Sequence, residues 1–372
     1  MKRLAWLDVA RGLAILLVVY FHFFMTYVDG RAEPSWDWAT MTGGLGALVE
    51  VIWLKLSGLC FHAVGLFIAL SGWALMESTS RRIASGPIKW GSWYVARLVR
   101  LYPMYWVAHL VYLLSPFVAR LEPVDGRIIL SLLGLRFVDI GRNFHYLNAA
   151  WWYFSLILQL VLIFPLLFWA ARRLGPGKFL LAAASFGFLC RYLLLVVYPQ
   201  HGFWSLGGLG LCRLPEFALG MALGMWHGRS PERTERFFLG GAGLAAGILL
   251  YPFALQLYAN IHTYVFVDFA TGVCCMLVVL GVAGLVVKSV VATKILCLLG
   301  AYSYGIFLVH QPYVIWVGMR IREQPLWMFL IIALAVLATT SLWGIALEKA
   351  TNAAVRRVGG ILKGRTTAVP RS

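Results

Sequence analysis

The sequence predicts an all-α polytopic membrane protein, and three observations support this fold class. The chain of 372 residues is 61% hydrophobic and only 13% charged, whereas soluble domains carry about 25% charged residues. Its apolar residues form long runs, each near the roughly 20 residues that a spanning helix needs. Its basic residues stand in short clusters between these runs, where positive charge orients a membrane protein. The net charge of +17 is therefore attributed to topology, and nucleic acid is not expected as a partner.

Ten apolar segments are counted as transmembrane helices. They cover residues 5–27, 58–76, 98–118, 146–170, 178–198, 209–227, 237–257, 265–287, 296–319 and 326–346. The Lys/Arg clusters all fall on one side, which the positive-inside rule assigns to the cytoplasm. We therefore expect both termini in the cytoplasm and two long outer loops at 28–57 and 119–145. Residues 1–347 are predicted to form one transmembrane domain, and residues 348–372 a short basic cytoplasmic tail.

The first segment carries three ionisable residues, which are costly within a membrane and often functional there. Asp8 and Arg11 are three residues apart, so they are neighbours on a helix and can form a pair. His22 lies three turns further along nearly the same face, about 16 Å from Arg11. Taken alone, His22 is equally well explained as a hydrogen-bonded packing residue.

Several other segments carry polar residues in the predicted outer half of the membrane, at the level of His22. These residues are Arg191, Arg213, Glu216, Asp268 and His310. Together they predict a polar chamber that is open to the outside. Arg213 and Glu216 are also spaced as a structural i,i+3 ion pair. His310 precedes Pro312, where we expect a kink.

A basic pair marks the inner side of the third segment. Arg97 and Arg100 in "RLVRLYP" place two guanidinium groups on one helix face, which suits a phosphate-bearing ligand. The alternative is an ordinary pair that orients the helix or reaches the interface. Ser71 and Gly72 in "LFIALSGWAL" permit close helix packing. Trp152 near an outer helix end suits either sugar stacking or the aromatic belt of any membrane protein. The six cysteines have no metal-site spacing, and no metal is expected.

Six segments carry a resemblance to a known family. They are "LDVARGLAILLVVYFH", "GLFIALSGW", "RLVRLYPMYW", "WWYFSLILQLVLIFPLL", "RLPEFALGMALGMW" and "SYGIFLVHQP". With these segments in this order, the chain resembles the integral-membrane acyltransferase type 3 family. The resemblance implies a ten-helix enzyme that takes an acyl group, usually acetyl, from cytoplasmic acyl-CoA such as acetyl-CoA. The acceptor would be a hydroxyl of an extracytoplasmic saccharide or glycolipid, modified as part of a bacterial cell envelope at the inner (plasma) membrane.

The resemblance also implies roles for individual residues. His22 and Arg11 match the essential His and Arg of the family's first helix, and Arg97 and Arg100 match the double-arginine motif thought to hold CoA. One departure is Gln159, where many members carry Glu, so we assign no acidic role there.

The different depths of Asp8, Arg11 and His22 along the first helix, together with the resemblance, lead to a mechanism. His22 is expected to be the general base for the acceptor hydroxyl, with an acyl-histidine intermediate as the open alternative. Arg11 and Asp8 complete the catalytic group by orienting the donor or holding the helix. Ser71 is assigned to the CoA site with Arg97 and Arg100. The predicted acceptor-binding residues are Arg213, Glu216, His310, Trp152, Arg191 and Asp268.

A membrane transporter or flippase of a polar or glycolipid substrate is the alternative class, because it also needs a polar chamber. Its expected signature is an inverted repeat with broken helices at matching positions in both halves. No convincing repeat of this kind is seen in the sequence. The expected partners are therefore acyl-CoA, a saccharide or lipid-linked saccharide acceptor and membrane lipids, while the oligomeric state is left open.

Overall fold

The computed structural model describes residues 4–29, 44–120 and 122–367, and within these ranges its regular structure is entirely helical. Sixteen α-helices occur in the described residues: α1 Ala5–Val28, α2 Leu45–Gly58, α3 Ala63–Ala84, α4 Trp90–Leu114, α5 Ile128–Leu133, α6 Ile140–Asn143, α7 Trp152–Leu174, α8 Pro176–Tyr192, α9 Leu214–Arg229, α10 Pro231–Phe238, α11 Gly241–Gln256, α12 Ile261–Tyr264, α13 Val267–Val286, α14 Val290–Ala301, α15 Ser303–Ile321 and α16 Leu326–Thr367. Residues 30–43 of the predicted outer loop 28–57 lie outside the described residues, as do 1–3, 121 and the last five residues of the predicted tail.

Seven helices in the described part of the chain are long and apolar enough to cross a membrane, or eight if the bent pair α14 and α15 forms one span. Two of the ten predicted spans correspond to helices outside this group. One is α4, which carries two arginines, and the other is α9, which has only 16 residues. The all-helical membrane class is therefore confirmed, while ten spans with cytoplasmic termini stay an expectation.

Helix α4 begins at Trp90, eight residues before the predicted start at residue 98. Gly86 has a positive φ of 145° and Pro87 follows it, so the preceding helix ends here and a new one begins directly afterwards. Arg97 and Arg100 consequently lie within the second and third turns of a helix, where their side chains reach a cavity, rather than at its first residue.

The ninth predicted span is bent, but the bend does not lie where the sequence predicts it. Helices α14 and α15 meet at an angle of 78° around Tyr302, whereas Pro312 lies inside α15. Just before the bend, Gly300 packs against α1, and a Cβ at this position would overlap the carbonyl oxygen of Asp8. Close packing of α14 on α1 therefore brings the first turn of α15 beside the Asp8–Arg11 pair.

Helix α1 is central to the bundle and packs against α3, α13, α14 and α15. Its apolar residues, including Ile15 and Val19, are fully buried in the main core. At the other end of the chain, α16 continues without a break through residue 347, the predicted end of the transmembrane domain. The Thr351 hydroxyl is buried and lies 3.6 Å from the Met104 sulfur, so this part of α16 packs against α4.

Candidate functional site

A cavity of about 600 Å³ lies among α1, α3, α4, α7, α14, α15 and α16. It is lined by Asp8, Arg11, Ser71, Arg97 and Arg100, together with other residues of these helices. These five residues are the ones that the sequence assigns to the donor side, and they come from three separate helices. The structure thus brings the whole predicted donor group to the wall of one cavity.

Two of the cationic side chains in this cavity are paired with carboxylates on their own helices. Arg11 Nη1 lies 3.2 Å from Asp8 Oδ1, as the i,i+3 spacing predicts. Arg81 Nη2 lies 3.5 Å from Glu77 Oε1. These local pairs reduce the cost of placing charge near the membrane.

Arg97 and Arg100 differ, because neither forms an ion pair with a carboxylate among the residues that the structure describes. Arg97 donates to the Ser78 hydroxyl over 3.2 Å and stacks 5.2 Å from the Trp93 ring centroid. Two neighbouring guanidinium groups repel each other, and an anion between them removes that repulsion. Guanidinium groups also match phosphate oxygens well.

The start of α15 lies on the wall of the same cavity and already holds an acidic side chain. Ser303 and Tyr304 of its first turn line the wall, and the N-terminus of a helix carries partial positive charge. Glu348 also lines the cavity, and its Oε2 accepts a hydrogen bond from the Gly305 N–H over 2.8 Å. Our reading of the sequence missed Glu348, although it is the only acidic residue in the predicted basic tail.

Aromatic side chains form one end of the cavity, beside Ser71. The hydroxyl of Ser71 donates to the Phe67 carbonyl over 2.9 Å and lies 3.4 Å from the Tyr153 hydroxyl. The Tyr153 and Phe307 ring centroids are 5.0 Å apart. The Phe307 ring in turn lies 5.6 Å from the ring of His310. The cavity therefore ends at rings that contact a buried histidine.

His22 and His310 meet beyond this aromatic end, with ring centroids 5.1 Å apart. His310 Nδ1 lies 2.7 Å from the Phe307 carbonyl oxygen, and His22 Nδ1 lies 3.3 Å from Gln311 Nε2. His310 is fully buried, and His22 is half-buried. The sequence placed these two histidines at the same depth, but nothing in it indicated that they touch.

The other predicted outer residues form a separate, closed cluster. Asp268 Oδ2 accepts from both Arg191 and Arg213 over 2.6 Å, and Arg213 lies 3.2 Å from Glu216. Two arginines and two acids balance in charge, and both arginines and Glu216 are at most 3% exposed. The predicted open chamber is therefore wrong for these four residues, because their charged groups are buried and face one another rather than an open space.

A space of about 10 Å³ adjoins this cluster, between Trp152, His62 and the Arg213–Asp268 pair. That volume holds about one water molecule. Trp152 also stacks on Phe144, with the ring centroids 5.7 Å apart. A role for Trp152 or the charged cluster toward an acceptor stays a prediction.

Gln159, the departure noted in the sequence, has a structural explanation. Its Nε2 donates to the Gly208 carbonyl over 3.0 Å, and its Oε1 accepts from the Gly210 N–H over 2.8 Å. A side-chain amide has both a donor and an acceptor, whereas a carboxylate could satisfy only the second contact. Gln159 thus holds the irregular segment that leads into α9.

This fold and this site define a polytopic membrane protein with a basic cavity that ends near a pair of histidines. The chain belongs to the acyltransferase type 3 family, whose model, described as an acyltransferase domain, matches residues 4–347. No curated protein and no solved structure matches the chain. The protein is accordingly a membrane acyltransferase.

Proposed function

We propose that the protein transfers an acyl group, with acetyl expected, from cytoplasmic acyl-CoA to a hydroxyl of an extracytoplasmic saccharide or glycolipid. The observation that carries this proposal is the cavity itself. Arg97 and Arg100 lie on its wall without an ion pair to any described carboxylate, and the Phe307 ring, beside His310, lies at its end. A donor that enters a bacterial inner membrane from the cytoplasm and an acceptor that enters from outside would meet there.

The donor half of the proposal rests on charge and size. A volume of about 600 Å³ falls within the roughly 300–1,000 Å³ of small-molecule sites. Arg97 and Arg100 bind the phosphates of CoA, and the thin pantetheine arm extends toward Ser71. Arg11, held by Asp8, lies on the same wall and orients this arm.

The chemical step moves the acyl group from the sulfur of CoA to the oxygen of the acceptor. The acceptor oxygen attacks the thioester carbonyl carbon, the new C–O bond forms, and the C–S bond breaks. The hydroxyl proton passes to an imidazole at the reaction centre and then to the departing sulfur, so that CoA leaves as the thiol. The reaction centre is the His22–His310 pair, where the sequence predicts a general base at His22 and leaves an acyl-histidine intermediate as the alternative.

Turnover by the purified full-length protein tests the proposal. In vesicles, labelled acetyl-CoA and a panel of saccharide acceptors should yield CoA and an acetylated saccharide, and His22→Ala should lower the rate at least 100-fold. No CoA release with any acyl-CoA or acceptor would contradict the proposal. Movement of a glycolipid across the bilayer without acyl-CoA would instead support the transporter.

Binding of CoA tests the donor site separately from chemistry. Each of Arg97→Ala and Arg100→Ala removes a charge-assisted contact of about 1.5–3 kcal/mol, so each should raise the Kd for CoA by roughly 10- to 100-fold. The double variant of Arg172 and Arg173 is the matched control, because these arginines lie at the end of α7 against Phe168 and Trp169. Equal affinity in all variants would show that Arg97 and Arg100 only orient the helix.

A further inference from the structure

We propose that His310 is the proton acceptor of the transfer, with Nε2 as the reacting atom, and that His22 donates a hydrogen bond from its Nε2–H. This inference rests on the proposed function and refines it, because the sequence assigned the base to His22. It follows from the hydrogen-bond partners of the two rings, because these partners decide which nitrogen of each neutral imidazole carries the proton.

The first step concerns His310. Its Nδ1 lies 2.7 Å from the Phe307 carbonyl oxygen, and a carbonyl oxygen can only accept. Nδ1 therefore carries the proton of the neutral ring, and Nε2 has a bare lone pair. This nitrogen is buried and has no hydrogen-bond partner among the residues that the structure describes. Buried polar atoms are nearly always paired, so a bare acceptor at this position is available for a substrate.

The second step concerns His22 and depends on how Gln311 is oriented. The Ala150 N–H donates over 2.6 Å to Oε1 of Gln311, so the amide oxygen must face Ala150. The amide NH₂ then faces His22 Nδ1 at 3.3 Å, which makes Nδ1 the acceptor. The neutral His22 ring consequently carries its proton on Nε2. For His22 to accept a proton at Nε2, its Nδ1–H would have to face the amide NH₂, and two donors would then oppose each other.

The two rings are thus in complementary states, 5.1 Å apart. His310 Nε2 takes the proton of the acceptor hydroxyl as the oxygen attacks, and the Phe307 carbonyl holds the resulting imidazolium through Nδ1–H. His22 Nε2–H donates to the thioester oxygen, on which negative charge develops as the tetrahedral intermediate forms. His310 returns the proton to the CoA sulfur when the C–S bond breaks, so no further reactant is needed.

This assignment gives His22→Ala the same expected loss of activity without making His22 the base. Loss of a donor to a developing oxyanion costs about 10²–10³ in kcat. Removal of a general base costs a similar factor, about 10²–10⁴. The size of the defect therefore cannot separate the two roles, and a test needs a readout that depends on protonation.

Nitrogen-15 NMR of histidine-labelled full-length protein in nanodiscs reads the tautomers directly. His22→Gln and His310→Gln serve to assign the two sets of signals. At neutral pH, His310 is expected to be protonated at Nδ1 and bare at Nε2, and His22 the reverse. A protonated Nε2 on His310 together with a bare Nε2 on His22 would overturn the proposal. This measurement needs no turnover, so it stands even if acyl transfer itself is not observed.

The pH profile of kcat/KM provides the functional readout. His22→Gln keeps an N–H donor and should retain the fall in activity at low pH, with a rate 10- to 100-fold below the wild type. His310→Gln should lose that acidic limb in its residual activity. His227→Gln is the matched control. His227 is also buried, but it lies away from the cavity and forms a 3.0 Å hydrogen bond with Glu235. The pH profile of this variant should match that of the wild type. Loss of the limb in His22→Gln and its retention in His310→Gln would return the base to His22.

Discussion

Backbone groups determine what several polar side chains of this protein can do. The Phe307 carbonyl and the Ala150 N–H orient His310 and Gln311, and the carbonyl of Gly208 requires a donor from Gln159. Because a backbone group cannot change its donor or acceptor character, each contact restricts the side chain that it meets. The residue type at these positions therefore follows from local hydrogen bonding.

Replacement of Gln159 by Glu tests this restriction. The carboxylate would face the Gly208 carbonyl without a donor, and a buried unsatisfied group costs about 1–3 kcal/mol. We expect Gln159→Glu to lower the thermal unfolding midpoint in detergent at neutral pH. Ser155→Ala is the control, because the Ser155 hydroxyl lies one turn earlier and bonds to none of the described residues. Equal midpoints for Gln159→Glu and the wild type would show that this contact contributes little.

The loop after α4 contains a carboxylate that should titrate at low pH. The Arg127 side chain donates from Nε to both carboxylate oxygens of Asp125, at 3.0 and 2.9 Å. The backbone N–H of Arg127 also donates to Asp125 Oδ1, at 2.9 Å. These hydrogen bonds lower the pKa of Asp125 to about 2. The ionised form is favoured on folding, so the contribution to stability is complete above the unfolded pKa near 4 and is lost as the pH falls through about 2.

A carboxyl-carbon NMR titration measures this pKa. Arg127→Gln should raise the pKa of Asp125 toward its ordinary value. Arg142→Gln should not, because the carboxylate nearest to Arg142 is that of Asp139, at 4.0 Å. An Asp125 pKa that is unchanged in Arg127→Gln would mean that another interaction lowers it.

Among the helices, α15 connects the basic cavity with the histidine pair. Its first turn lines the cavity, Phe307 forms part of the cavity end, and His310 lies one turn further on. In the mechanism that we propose, a thioester passing from the cavity to the histidines would have to move the rings of Phe307 and Tyr153 apart. The spacing on this one helix would then link donor entry with the chemical step.

A smaller side chain at position 307 should widen this passage. We expect Phe307→Leu to raise the ratio of butyryl to acetyl transfer several-fold and to increase acyl-CoA hydrolysis without acceptor, since a looser closure also admits water. Phe179→Leu in α8 is the control, because Phe179 is also buried but does not line the cavity. An unchanged acyl preference in Phe307→Leu would show that the rings do not limit the acyl group.

For the whole molecule, loop charge and helix count make an explicit topological prediction. With ten spans and cytoplasmic termini, single cysteines at Ser85, Ser230 and Ser289 should face the cytoplasm. Cysteines at Gln200 and Gln324 should face outward.

Labelling with a membrane-impermeant maleimide, in a variant without the six native cysteines, checks this arrangement in intact cells. Only the outward pair should react before the cells are opened. Reaction of any cytoplasmic site in intact cells would contradict the ten-span topology. Agreement at all five sites would support α4 and α9 as spans, although α4 contains two arginines and α9 has only 16 residues.

Much of the site could be predicted from local sequence. Asp8 and Arg11 pair as their spacing requires, and Arg213 meets Glu216 for the same reason. The contact of Asp268 with both arginines could not be predicted, because these residues lie on different helices and their azimuths depend on packing. The same holds for Glu348, which reaches the cavity only because α16 continues past the predicted domain end.

The amino-acid sequence by itself determined the helical membrane class and the family, and it predicts the depth of each ionisable group. Apolar length, loop charge and residue spacing are properties of one segment at a time, and they act through the bilayer and the helical repeat. The tertiary structure alone decided which groups face one another: the His22–His310 contact, the closed charged cluster and the bend at Tyr302. These depend on helix rotation and on backbone contacts such as Gly300 with Asp8, which arise only when the helices pack.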